Sequence, residues 1–302
     1  MNELFDKLIL RIVFTFFILG LLYLYKYAHS FLYPSTRQQL FKRFFPIKNS
    51  PDTLILLSRV VGIGIIFSQF YFFMSEGFLY ALLDFFLEAA IGFVIYLASI
   101  YILESIVLFN FEYQDEVLKR KNYAYSIISL SHAIGLAYVL KTVLAVANHS
   151  IIMLIFLWLF SIVLIGFATK SYSIISKLPF NRLLVQKNLG LAFSYLGFLW
   201  GWILIISSSI NNELVEIRWF SIQVILKIVL SLIIIPIFRK GLQVIFKFHD
   251  EIEREIVIDN KPENLEKTLG YGIYEGSTFF ASCFLTTVIT GHINFGTFYP
   301  VF

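Results

Sequence analysis

The sequence predicts an all-α fold, a polytopic bundle of transmembrane helices, and three observations carry that prediction. Hydrophobic residues make up 58% of the 302 residues and charged residues only 15%; the mean hydropathy is +0.78. Soluble domains average about 45–50% apolar and about 25% charged, and a chain this short has too much surface to hide the excess. Apolar stretches near the roughly 20 residues that cross a hydrocarbon core of about 30 Å recur along the whole chain. Basic residues gather in every other connection between them. A soluble enzyme, a secreted disulfide scaffold and a disordered chain are excluded. The single cysteine, Cys283, cannot form an intrachain disulfide.

The apolar stretches lie at 8–28, 52–74, 79–109, 123–147, 150–169, 188–210, 217–238 and 265–290, which gives about eight spans and leaves no room for a separate soluble domain. The first is longer than the core of a signal peptide. Its leading segment mixes Glu3 and Asp6 with Lys7 and Arg11, so it reads as a retained helix. The third is long enough to tilt or to project beyond the bilayer. The 34 Phe and 17 Tyr suit lipid-facing surfaces and aromatic belts.

Arg37, Lys42, Arg43 and Lys48 fall between the first two spans; Lys119, Arg120 and Lys121 between the third and fourth. Lys170, Lys177, Arg182 and Lys187 precede the sixth, and Arg239, Lys240, Lys247, Arg254, Lys261 and Lys267 surround the last connection. The other side carries only Lys7, Arg11 and Arg218. The positive-inside rule then puts the basic loops in the cytoplasm of a cell whose inner or plasma membrane holds the protein, with both termini outside.

Each basic loop ends in an Asn just before a new apolar run, at Asn49, Asn122, Asn188 and Asn260, with intervals of about 70 residues. Asn caps a helix start by accepting a bond from an unsatisfied backbone N–H. In three units a Gly follows thirteen positions later, at Gly62, Gly135 and Gly201, and the fourth has Gly272 or Gly276 near the equivalent place. Glycine lets a neighbouring helix come close. Two spans return the chain to the same side, so the pattern predicts four parallel two-helix units at 1–75, 76–147, 148–212 and 213–302.

The second unit reads Asp115-Glu116-Val117-Leu118-Lys119-Arg120-Lys121-Asn122-Tyr123-Ala124, continuing to Gly135. It resembles the acidic–aliphatic–basic–Asn signature of the bacterial membrane family called domain of unknown function 350. The fourth unit, Glu255-Ile256-Val257-Ile258-Asp259-Asn260 followed by Gly272 and Ala281-Ser282-Cys283, is similar to the second half of that family's small members. Unit three keeps Asn188 without the preceding acid, and unit one is weaker. Small members carry two such units, so the resemblance implies a doubled version in the inner membrane. The family has no settled activity, and the resemblance supplies no catalytic residues.

Charges inside a bilayer cost about 2.5–3.5 kcal/mol each on insertion scales unless paired or hydrated, so they are the candidate functional residues. Lys227 lies twelve residues before Arg239 and Glu275 twelve after Glu263. At 1.5 Å per residue both sit about 18 Å from the basic side and could pair near the midplane. Arg59, His132 and Glu104 form a second layer about 12–15 Å from that side, where a Glu104–His132 proton relay is conceivable. Asp84 and Glu88 share a face of the third span, and Asp84 is expected to staple to Lys141. The run from His249 to Glu255 lacks metal-ligand spacing and fits a solvated helix end better.

No HExxH, P-loop, GxSxG or dinucleotide fingerprint is present in the sequence. The chain is therefore expected not to be an enzyme and to need no cofactor or metal. One expectation is transport of a small ion or solute through a bundle with paired midplane charges. The alternative is a non-transporting scaffold that docks a membrane or cytoplasmic protein in envelope maintenance. Partners are then the lipid bilayer, such a protein, or a second copy in a homo-oligomer, and not nucleic acid, because the net charge of +4 is spread over loops.

Overall fold

The computed structural model describes residues 2–70, 77–148, 150–212, 216–248, 262–293 and 295. Helix α1 runs over Asn2–Leu32; a 3-10 turn at Pro34–Thr36 and the short α2, Arg37–Phe41, lead to α3, Ser50–Phe67. Helix α4, Phe78–Val107, starts after Gly77, whose φ of 101° suits a residue without a Cβ. A π-turn at Gln114–Lys119 precedes α5, Tyr123–Ala147, and α6 follows at Ile151–Ile175. The remaining elements are α7, Phe180–Val185; α8, Leu189–Ile210; α9, Ile217–Ile245, which runs through Pro236; and α10, Pro262–Thr290.

Among the described residues, seven helices are long and apolar enough to cross a membrane. The eighth, α10, is 29 residues long but mixes Gly, Ser, Thr and Tyr into its apolar sequence. Its position explains that composition. The four helices that follow basic loops form an inner row in which α3 packs on α5, α5 on α8, and α8 on α10. Helices α4, α6 and α9 pack outside this row. Helix α1 joins through aromatic edges, with Phe14 and Phe17 against Phe67 and Phe85. Phe16, Phe167, Ile174 and Ile237 remain exposed, as lipid-facing side chains would be. An inner helix meets protein on most sides and can carry small polar residues that a lipid-facing helix cannot.

Close packing holds the row, because lipid tails compete with apolar side chains and leave little hydrophobic drive between helices. The α8–α10 contact is backbone on backbone. A Cβ on Gly197 would run into Gly276, one on Gly276 into Phe193, and one on Gly272 into Gly190. A Cβ on Gly62 would meet the Tyr96 hydroxyl, one on Gly135 the Ile203 side chain, and one on Gly201 Cys283 and Phe279.

The end of the bundle carrying the loops at 33–49, 108–122 and 176–188 is called here the basic end, and the other the far end. Asn122 caps α5 by accepting from Tyr125 N at 3.3 Å, and Asn188 caps α8 by accepting from Leu191 N at 3.2 Å. Each follows a lysine in the left-handed region, Lys121 at φ 53° and Lys187 at φ 58°. Asn49 departs from the expected role. It occupies the cap position of α3 without a side-chain cap bond, and its Oδ1 accepts from Lys121 Nζ at 2.7 Å instead. Lys187 Nζ in turn donates to Arg120 O at 2.5 Å, the Arg120 guanidinium donates to Val185 O, and Asn122 Nδ2 donates to Leu184 O at 2.9 Å. Three successive loops are thus bonded to one another. Asn260, the Glu255–Asn260 motif and the His249–Glu255 run lie outside the described residues.

Candidate functional site: two buried polar clusters

Charged side chains meet inside the bundle at two places. The first joins α1, α3, α4 and α5. Arg59 of α3 is 1% exposed and Glu104 of α4 is 7% exposed, and Arg59 Nη2 stands 3.0 Å from Glu104 Oε2. The Tyr33 hydroxyl donates to Glu104 Oε2 at 2.6 Å and accepts from Arg59 Nη2 at 2.9 Å; Ser129 donates to Glu104 Oε1. His29 Nδ1 lies 3.3 Å from Arg59 Nη1, and His29 Nε2 lies 3.8 Å from Asp52 Oδ1. Asp52 also accepts from the Tyr113 hydroxyl. Arg59 and Glu104 thus form a buried ion pair whose remaining oxygens and N–H groups are mostly answered by hydroxyls and the imidazole, as such a pair requires. Asp52 Oδ2, Arg59 Nε and His29 Nε2 have no hydrogen-bond partner among the described residues.

Tyr113 comes from the loop after α4 and stacks on Tyr33 with ring centroids 4.0 Å apart. Burial pushes its hydroxyl well above the ordinary phenol range, and the Asp52 charge adds to that, so it stays a donor. His132 belongs to a different contact. Its Nε2 pairs with the Tyr195 hydroxyl at 2.9 Å, as a hydrogen-bonded buried histidine does, and it makes no direct hydrogen bond to Glu104.

The second cluster surrounds Glu275 of α10, which is 5% exposed. Its Oε2 accepts from Ser176 at 2.8 Å and from Ser194 at 2.5 Å, and its Oε1 accepts from Tyr271 at 3.5 Å. Ser194 also pairs with the Tyr172 hydroxyl at 2.9 Å. Among the described residues no Lys, Arg or His forms an ion pair with Glu275. Tyr172 and Tyr195 together line a cleft of about 160 Å³ with Thr169, Lys170, Phe180 and Asn181. Their rings meet edge to face at 5.2 Å.

The expected Lys227–Glu275 pair is corrected. Lys227, 1% exposed, donates to Asn212 Oδ1 at 2.6 Å and to Gly291 O at 3.4 Å. Both acceptors lie just past the far ends of α8 and α10, whereas Ser176, which holds Glu275, caps the basic end of α6. Counting from Arg239 and Glu263 assumed that the two helices cross the basic end at equal levels. Gly190, the second residue of α8, instead sits against Thr268 and Gly272, well inside α10. Helix α10 therefore extends beyond α8 at the basic end, and Glu275 lies near that end.

Asp84 and Lys141 form no ion pair; Asp84 is exposed. Glu88 lines a far-end cleft of about 220 Å³ with Gln69, Phe70 and Asn148, apart from both clusters. Thr278, Ser282, Thr286 and Thr290 are buried at four-residue spacing on α10, between Glu275 and the far end. Each hydroxyl donates to the carbonyl four residues earlier, at 2.6, 2.7, 2.8 and 3.1 Å. Ser231 lies 3.4 Å from the Thr290 hydroxyl and one turn from Lys227 on α9. Buried hydroxyls thus lie along about 22 Å of helix between the two charges, each bonded to its own helix backbone.

His29, Asp52, Tyr33, Tyr113 and Ser129 in the first cluster, and Ser176, Ser194 and Tyr172 in the second, were missed by the sequence reading. The seven apolar helices and the strandless architecture of the described residues define a multi-pass α-helical membrane protein. The chain belongs to the family described as Domain of Unknown Function (DUF350), which matches it twice, over residues 3–144 and 145–290. Each copy holds four long helices, α1, α3, α4 and α5 in the first and α6, α8, α9 and α10 in the second. The first copy supplies the Arg59–Glu104 cluster, and the second supplies both Glu275 and Lys227. No curated protein and no solved structure matches the chain.

Proposed function

We propose that the protein moves a small ion across the inner or plasma membrane, with the basic loops in the cytoplasm and the path following the buried hydroxyl side of α10. The observation that carries this reading is the hydroxyl run from Glu275 to Ser231 and Lys227. Buried ionisable groups without an opposite charge are expensive in a bilayer and mark ion pathways or relays more often than they serve as struts. The first copy, in which Arg59 and Glu104 are paired, supplies the fixed frame. The second copy supplies the working charges.

A specific observation also favours the scaffold reading. The hydroxyls of α10 are satisfied by their own helix, and the bonded basic loops offer a firm docking surface. The deciding experiment is a flux panel on the purified protein in liposomes, covering K⁺, Na⁺, H⁺ and Cl⁻, with Glu275→Gln as the control. Flux that disappears in Glu275→Gln supports transport. Silence in every ion, with the protein folded and inserted, turns the reading to the scaffold.

A further inference from the structure

This inference rests on the transport reading and names what is carried. We propose that Glu275, Ser176 and Ser194 form a binding site for a monovalent alkali-metal cation. Three oxygens from three helices converge there. Ser176 Oγ comes from the end of α6, Ser194 Oγ from α8, and both donate to the same carboxylate oxygen, Oε2 of α10, at 2.8 and 2.5 Å. A hydroxyl is both donor and acceptor. With the cation present, Ser194 turns its proton to the Tyr172 hydroxyl, already 2.9 Å away, and offers lone pairs to the metal. Ser176 holds its position because its oxygen also accepts from Leu178 N at 3.1 Å.

The electrostatics select the charge of the ligand. Glu275 brings one negative charge into a buried place with no ion-pair partner among the described residues, and leaving it uncompensated is costly. A monovalent cation cancels it, whereas a divalent one leaves a buried excess of positive charge. Ser176 is also the C-cap of the 25-residue α6, so the negative end of that helix dipole faces the site and favours a cation. The ligands are all oxygen, without thiolate or imidazole, which suits a hard metal ion. The first cluster is the internal contrast, since Arg59 already occupies the place a cation would take beside Glu104.

The test is the melting of the full chain in detergent, in NaCl, KCl and LiCl against N-methylglucamine chloride at equal ionic strength. One of the metal salts is expected to raise Tm saturably, and Glu275→Gln to abolish the rise. Ser194→Ala is expected to raise the half-saturating concentration about tenfold, the size of one lost ligand bond. If Glu275→Gln does not fold, Ser176→Ala carries the test with the same expected shift, because its half-buried hydroxyl sits at the edge of the site. Equal melting in all salts overturns the site, as does a rise unchanged in both serine variants. Cation-specific stabilisation without flux overturns transport and leaves the site. Flux without cation-specific stabilisation does the reverse.

Discussion

Lys227 and Glu275 lie on helices that pack against each other, yet they share no bond and face opposite ends of the bundle. Lys227 is held by Asn212 and Gly291 beyond the helix ends, and Glu275 by Ser176 at the basic end. Each charge is surrounded by neutral partners of the complementary hydrogen-bonding kind: acceptors for the ammonium, hydroxyl donors for the carboxylate. The second family copy therefore carries a separated positive and negative charge, and the first copy a joined pair.

Separation makes the two charges energetically independent. Lys227→Met and Glu275→Gln are expected to add within about 0.5 kcal/mol when combined, as distant sites do. A double-mutant cycle on unfolding in detergent measures this. A coupling above about 1 kcal/mol would show that the two side chains meet.

Arg59 and Glu104 behave oppositely. Removing one member of a buried pair strands the other, so Arg59→Met is expected to lower stability by about 3–5 kcal/mol. Arg59→Met with Glu104→Met is expected to lose less than Arg59→Met alone. A double variant as unstable as the sum of the singles would contradict the pairing.

The glycine contacts give a graded prediction. Gly197→Val places side-chain atoms into the Gly276 backbone and is expected to cost more than about 2 kcal/mol or to abolish folding. Gly241→Ala, with nothing within 4 Å of its added Cβ, is expected to stay within about 0.5 kcal/mol or to gain slightly in helix propensity. The yield of monodisperse protein and its Tm compare the two.

Tyr113 supplies a pH dependence. Its hydroxyl titrates above the ordinary phenol value in the folded protein, so the stability it contributes is complete below pH about 10 and is lost as pH rises toward the folded value. Unfolding followed between pH 8 and 11 should show an alkaline loss that is smaller in Tyr113→Phe. An identical slope in the two proteins would remove Tyr113 from the cause.

Much of this architecture was legible because bilayer physics is strict. Apolar runs and basic loops located the long helices, and Asn122 and Asn188 marked two of their starts. The polar partners were hidden for physical reasons. Asp52 reads as an ordinary acid in a first helical turn, and Tyr33 and Tyr113 read as belt aromatics, until the fold brings them to Arg59 and His29. The Lys227–Glu275 error came from axial offset, since residue counting measures rise along a helix but not where one helix starts relative to its neighbour. Asn49 looked like its relatives, but Lys121 from the next loop took its side-chain oxygen.

That last bond belongs to a chain of them, Lys121 to Asn49, then Lys187 and Asn122 across to the neighbouring loops. Loops bonded this way behave as a single plate into which α3, α5 and α8 are rooted. Far-end clefts beside Glu88 and around Asn148, Asn211 and Asn212 separate the same helices at their tips. Any change of shape is then expected to spread the tips while the roots keep their spacing. Spin labels paired across the far end would register that spreading, and pairs placed in the stapled loops would hold one distance throughout.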